Sequence, residues 1–312
     1  MALTSLLWWF APPALSATPK SPPRAAAQSA SASRPGATIA RTPYIGAISI
    51  DAATGKVLSE DNPDAKGYPA SVLKLMDLLI ILERVQQRQL SFQDQVTVSA
   101  RAAKTGGSQV WLAEKEVFTV DELLYALMVQ SANDAAVALS EKIAGTSEAF
   151  VELMNQRAKQ LGMVNTVFYS VHGLPPGAGQ QADTTTARDL SLLCRELLKH
   201  ADTLRYTSTR QRPFRENVPD KKVVMQTHNH VMAQVEGCDG FKTGYFARAG
   251  FSIAATAARN GQRVIAVVLG SADRKVRDAK AAELLSKGLV ALPGAPSVPA
   301  SPVGAPKGPK PR

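Results

Sequence analysis

The chain has 312 residues, 45% apolar and 20% charged, with a formal net charge of +10 and two cysteines. That length can bury one large core or two smaller ones, and no apolar run reaches the roughly 18 residues of a membrane-spanning helix. Cys194 and Cys238 are too few for a disulfide-built scaffold or a four-cysteine zinc ribbon and read as buried thiols.

Residues 1–17 carry a short apolar stretch, LLWWFAPPALSA, that ends in small residues and reads as a signal peptide or a short tether. Residues 18–42 are rich in Pro, Ala and Ser and read as a disordered linker, as do residues 291–312 as a basic Pro-rich tail. Of the ten units of net charge, four lie in residues 1–42 (Lys20, Arg24, Arg34 and Arg41, with no acid) and three in 291–312 (Lys307, Lys310 and Arg312). The body, residues 43–290, keeps only +3, so a basic nucleic-acid-binding domain is not expected, and the tails suggest at most a loose membrane or envelope association.

Within the body, residues 44–50 and 56–58 form a hairpin pattern around Asp51-Ala52-Ala53-Thr54-Gly55. Residues 71–87 are apolar on nearly every helical face, which predicts a buried helix. Further helical patterns cover 120–130, 133–144, 147–161, 185–200 and 271–289. Residues 251–257 and 263–269 read as strands joined at Arg259-Asn260-Gly261. The order predicts an α+β fold: an antiparallel sheet built from both chain ends and flanked by helices, with an inserted all-helical subdomain.

Three short segments carry residues suited to acyl transfer. In Ser71-Val72-Leu73-Lys74 the hydroxyl and amine sit at i and i+3, on one helix face, and an apolar helix would desolvate the lysine and lower its pKa. Asp77, three residues on, would keep that amine protonated if the side chains meet. Ser131-Ala132-Asn133 falls at an expected break between two helices, where each polar residue could equally be a cap. Lys-Thr-Gly occurs twice; Lys242-Thr243-Gly244, leading into the late hairpin, is expected on an edge strand, and Lys104-Thr105-Gly106 reads as an unrelated loop. His228 and His230 share a strand spacing, but no third metal ligand accompanies them, and His172 and His200 are isolated.

The order and gaps of these segments resemble the serine-nucleophile enzymes comprising penicillin-binding proteins and β-lactamases. The resemblance extends through Tyr68–Met76, Ser131–Ala136, Leu161-Gly162-Met163, His172-Gly173-Leu174, Thr186–Leu190 and Asp239–Gly244, and is to the low-molecular-mass D-alanyl-D-alanine carboxypeptidases, serine peptidase family S11. It covers residues 43–290. Leu73, Asp77 and Tyr245-Phe246 depart from the usual family pattern. The resemblance implies a β-lactamase/DD-peptidase-like fold in which Ser71 is acylated, Lys74 is its base and Ser131 relays a proton within a hydrogen-bonded set with Lys74 and Lys242. Asn133 would position the substrate amide, Lys242 and Thr243 would take the terminal carboxylate, Gly244 would allow the strand's close approach, and the N–H groups of Ser71 and Tyr245 would hold the oxyanion. No metal or cofactor is implied. The implied partners are peptidoglycan stem peptides, with β-lactams as acylating inhibitors, in an extracytoplasmic setting.

Other readings fit less well. A class A β-lactamase needs a Glu downstream of the second segment, and residues 153–195 contain none. A penicillin-sensing module would be joined to membrane helices. A D,D-endopeptidase of the same family is favoured by the Pro-rich tail directly after the body, and the carboxypeptidase by the form of Ser131–Ala135.

Overall fold

The computed structural model describes residues 40–292. The expectations placed on residues 1–39 and 293–312 fall outside the described residues. Within unit Gly36–Arg312, five strands form one antiparallel sheet: β1 (Gly46–Asp51), β2 (Val57–Asp61), and, after the helical middle of the chain, Cys238–Phe246, Gly250–Arg259 and Gln262–Ser271. Two short ribbons in the middle take the labels β3 (Gln95–Thr97) with β4 (Val117–Thr119), and β5 (Gln211–Phe214) with β6 (Val223–Gln226). The late strands are therefore β7, β8 and β9, and the sheet order is β2-β1-β9-β8-β7.

The sheet joins the two ends of the body. β1 lies against β9 from Gly46 opposite Leu269 to Asp51 opposite Val264. The chain is already ordered just before β1: Arg41, expected in the linker, donates its N–H to the Gly270 carbonyl at 3.0 Å, and Ala272 returns one to Arg41. The β1–β2 turn is held by the Asp51 carboxylate, which accepts from the Ala53 N–H and the Thr54 hydroxyl.

β8 and β9 are apolar at nearly every position because both sheet faces are covered. Ile253, Ala255, Ala257, Val264, Ala266 and Val268 pack on one face against Ala281, Leu284, Leu285 and Leu289 of the last helix (Arg274–Ala291). The alternate residues Ala254, Ile265, Val267 and Leu269 point the other way, into the larger core around helix α1 (Lys74–Gln86). Every residue of α1 from Lys74 to Leu82 is buried. Its large apolar side chains contribute about 1.5–3 kcal/mol each, and Lys74 and Asp77 are carried into the core with them.

In the middle of the chain come α2 (Ala100–Ala103), α3 (Val120–Tyr125), α4 (Asn133–Ala144), α5 (Ser147–Gln160), α6 (Ala187–Leu197) and α7 (Thr203–Thr207); the last helix is α8. The expectation of an all-helical insertion is corrected by the β3–β4 and β5–β6 ribbons. Strands of three or four residues are too short to show an alternating pattern.

Candidate active site

Ser71 sits in a single 3₁₀ turn, Ala70–Leu73, that runs straight into α1. The i, i+3 spacing places Lys74 Nζ 3.0 Å from Ser71 Oγ. The amine also donates to Asn133 Oδ1 and to the His172 carbonyl, each at 2.7 Å. Lys74 is fully buried, and burial pulls its pKa down to about 7 although Asp77, Asp134 and Asp183 oppose the shift. Asp77 is buried beside it, yet no ion pair joins the two, and neither carboxyl oxygen has a hydrogen-bond partner. Burial drives the Asp77 pKa well above the ordinary carboxylate range, with the Lys74 charge opposing.

Ser131 ends the helix that begins as α3, after a final wide turn, Ala126–Gln130. It adopts φ +62°, the left-handed region, and α4 starts two residues later at Asn133. Neither residue serves as a side-chain cap. Asn133 is spanned instead, accepting from Lys74 while its Nδ2 donates to the Gly106 carbonyl at 2.8 Å. Thus Gly106, in the Lys-Thr-Gly copy expected to be an unrelated loop, forms part of the wall around the site. The Ser131 hydroxyl bonds to neither lysine.

The second Lys-Thr-Gly lies on β7, the sheet edge, as its sequence context suggests. Side chains alternate along the strand. Thr243 and Tyr245 line the cleft; Lys242, on the alternate face with Gly244, is buried and donates to the Thr243 carbonyl at 2.9 Å. Burial, with the Lys74 and Arg277 charges adding, holds the Lys242 ammonium well below its ordinary pKa. Gly244 passes so close to the turn that holds Ser71 that a Cβ there would meet Pro69 O at 2.5 Å and Ser71 N at 2.9 Å. Tyr245, half in solvent, stacks on Phe251 with ring centroids 4.2 Å apart.

Together these elements enclose a cleft of about 310 Å³ lined by Ser71, Ser108, Ser131, His228, Thr243, Tyr245 and Arg277. Two participants have no counterpart among the residues singled out from sequence for this chemistry. The His172 carbonyl is a backbone atom, presented by a loop in which Gly173 (φ +74°) presses against Ala70. Arg277 lies on α8, nearly fully buried, tied to Asp278 at 2.6 Å and to the Ser252 carbonyl at 3.3 Å. Burial lowers its pKa, but a guanidinium keeps its charge, so Arg277 is a fixed cation of the cleft, which Arg274 also lines. Among the described residues no three His, Cys, Asp or Glu side chains come together as metal ligands.

A sequence profile of peptidase family S11, D-alanyl-D-alanine carboxypeptidase, matches residues 32–273. The chain belongs to this family. Among its S11 relatives, D-alanyl-D-alanine carboxypeptidase DacF of Bacillus subtilis is 37% identical over 239 residues, and DacC of Escherichia coli 36% over 249. Each alignment takes in 77% of this chain and 60% of the relative, so the chain spans about three fifths of the length of these relatives. Among solved S11-like structures, the carboxypeptidase DacD of Francisella tularensis superposes with a TM-score of 0.72 at 30% identity, covering 78% of this chain and 70% of that one. Penicillin-binding protein D2 of Listeria monocytogenes, in its ampicillin-bound form, gives 0.69 at 30% identity, covering 78% and 96%. The fold is that of the low-molecular-mass penicillin-binding proteins, as the sequence resemblance implies.

Proposed function

We propose that residues 43–290 form the catalytic domain of an exported serine D-alanyl-D-alanine carboxypeptidase that trims peptidoglycan stem peptides and is acylated by β-lactams. The observation that carries this reading is the 3.0 Å contact between Ser71 Oγ and a lysine amine whose pKa lies near 7. An amine in that range is half deprotonated at neutral pH and can take the hydroxyl proton as Ser71 attacks the penultimate D-alanyl carbonyl. Asn133 and the His172 carbonyl fix the amine while it does so. The N–H groups of Ser71 and Tyr245 hold the oxyanion, where one donor is worth about 10²–10³ in rate. The proton that Lys74 took from Ser71 passes by way of the Ser131 hydroxyl, facing the cleft, to the nitrogen of the leaving D-alanine, and water then releases the acyl group.

For the terminal carboxylate, Arg277 and Thr243 are the direct partners, with Lys242 bonded to the Thr243 carbonyl. Arg277 presents a guanidinium to the same cleft as the nucleophile. The relatives' names and the β-lactam in the Listeria structure support the substrate and inhibitor classes. An extracytoplasmic location follows from the substrate.

Labelling with a fluorescent penicillin, followed by D-alanine release from a stem pentapeptide, tests the reading. Wild type is expected to give a covalent band and free D-alanine, and Ser71→Ala neither. A band that persists in Ser71→Ala would remove Ser71 as nucleophile. Loss of cross-linked muropeptide dimers without release of D-alanine would make the enzyme an endopeptidase.

A further inference from the structure

Trp111 is 64% exposed and, at φ +54°, sits in the left-handed region that bulky side chains rarely enter. Such a conformation is strained and persists only where its surroundings enforce it. Here they do so from both sides. The fully buried Asp134 carboxylate accepts the N–H groups of Val110 at 3.2 Å and Leu112 at 3.0 Å. Arg215, its side chain only 4% exposed, donates to the carbonyls of Val110 at 2.7 Å and Trp111 at 3.0 Å. The same Arg215 nitrogen that meets Trp111 O also meets Glu116, whose other carboxylate oxygen accepts from Lys221 at 3.1 Å. Groups from α4, the β5–β6 connection and the loop itself thus cooperate to hold an indole out in water, where it adds nothing to the core.

The perch adjoins the catalytic cleft. Ser108 lines that cleft, and its carbonyl accepts the Asn133 N–H at 2.8 Å. Trp111 is three residues further on, a span of at most about 10 Å.

We propose that Trp111 is a stacking platform for a sugar ring of the glycan strand that carries the stem peptide. This rests on the reading of the substrate as peptidoglycan. A pyranose offers a C–H face to a flat aromatic and hydroxyl or amide groups at its edge, and the Trp111 backbone shares Arg215 with the Glu116 carboxylate, to which the Lys221 ammonium also donates, so charged groups of the kind that bond such edges belong to the same loop. A lipid surface is the poorer match: Val110 and Leu112 on either side are buried, so the perch exposes one ring rather than a continuous apolar patch.

The test compares full-length wild type, Trp111→Ala and Trp111→Phe on one stem pentapeptide, presented free or attached to a disaccharide or longer glycan. The expected result is that Trp111→Ala lowers the ratio of kcat/KM for glycan-borne over free peptide about tenfold, mainly through KM, and that Trp111→Phe restores most of it. An unchanged ratio would overturn the proposal. So would a ratio unchanged alongside lost sedimentation with anionic lipid vesicles, which would assign the ring to a membrane. Penicillin labelling of all three proteins reports separately on the catalytic site. If wild type labels but releases D-alanine from neither substrate, the carboxypeptidase reading fails by itself. Calorimetric binding of stem-free glycan strands then decides the perch: weaker binding in Trp111→Ala upholds it, and equal binding refutes it.

Discussion

A buried ammonium loses the hydration that keeps its pKa near 10, and at Lys74 the replacement is three neutral oxygens: a hydroxyl, an amide and a peptide carbonyl. They fix the position of the nitrogen without supplying the full charge that would hold the proton on it. The rate of acylation by a penicillin is therefore expected to fall about tenfold per pH unit below about pH 7, where the amine is protonated; a flat profile from pH 5 to 8 would contradict it. Asp77 obeys the opposite sign. Its folded-state pKa is raised, so its contribution to stability is present below the unfolded value of about 3.9 and is lost as pH rises through the folded value. Asn carries no such dependence. In thermal unfolding, Asp77→Asn is expected to match wild type near pH 4 and to gain Tm over it progressively towards pH 8. A wild type that gained equally on the mutant would mean that Asp77 is ionised and paired.

At the level of elements, the site is made where β7 meets the turn ahead of α1. Only a residue without Cβ lets the strand come within contact of Ser71 N, and the obstructing atoms are backbone, which cannot rotate away. Gly244→Ala is thus expected to displace β7 and slow penicillin acylation by about 10²–10³, the cost of an oxyanion donor, while far-UV circular dichroism stays native. Acylation within twofold of wild type would show that β7 does not set the donor geometry. The elements differ in how far they can be read from sequence. α4 runs over Asn133–Ala144, the span its apolar pattern predicts, and α1 is legible because every face is apolar. The meeting of Ser71 with Lys74 is legible in their i, i+3 spacing, and the edge-strand place of Thr243 in the late hairpin that follows it. The inward turn of Lys242 was not, because it depends on which face of β7 meets the core. Arg277 reads as one more cation on a mixed helix until the packing of α8 buries it, and no residue type marks the His172 carbonyl.

At the scale of the whole body, the sheet and helices share one core. Ile48 on β1 and Val267 on β9 belong to the same buried cluster as Leu75 on α1, Leu139 on α4 and Leu190 on α6. Truncation of Ile48, 1% exposed, is expected to cost about 2–5 kcal/mol. Because the cluster spans both layers, urea unfolding of Ile48→Ala should remain a single transition, with near- and far-UV signals coincident at a lower midpoint. Two separated transitions would mean that the helical middle is stable without the sheet.

The bond from Lys74 to His172 has an evolutionary side. Its acceptor belongs to the main chain, so substituting residue 172 changes the imidazole but leaves the carbonyl in place. A single substitution can replace the side chain of Asn133. This contact changes only if the loop around Gly173, itself pressed against the turn that holds Ser71, is reshaped. Of the three oxygens that hold the Lys74 amine, this one is the hardest for point mutation to reach.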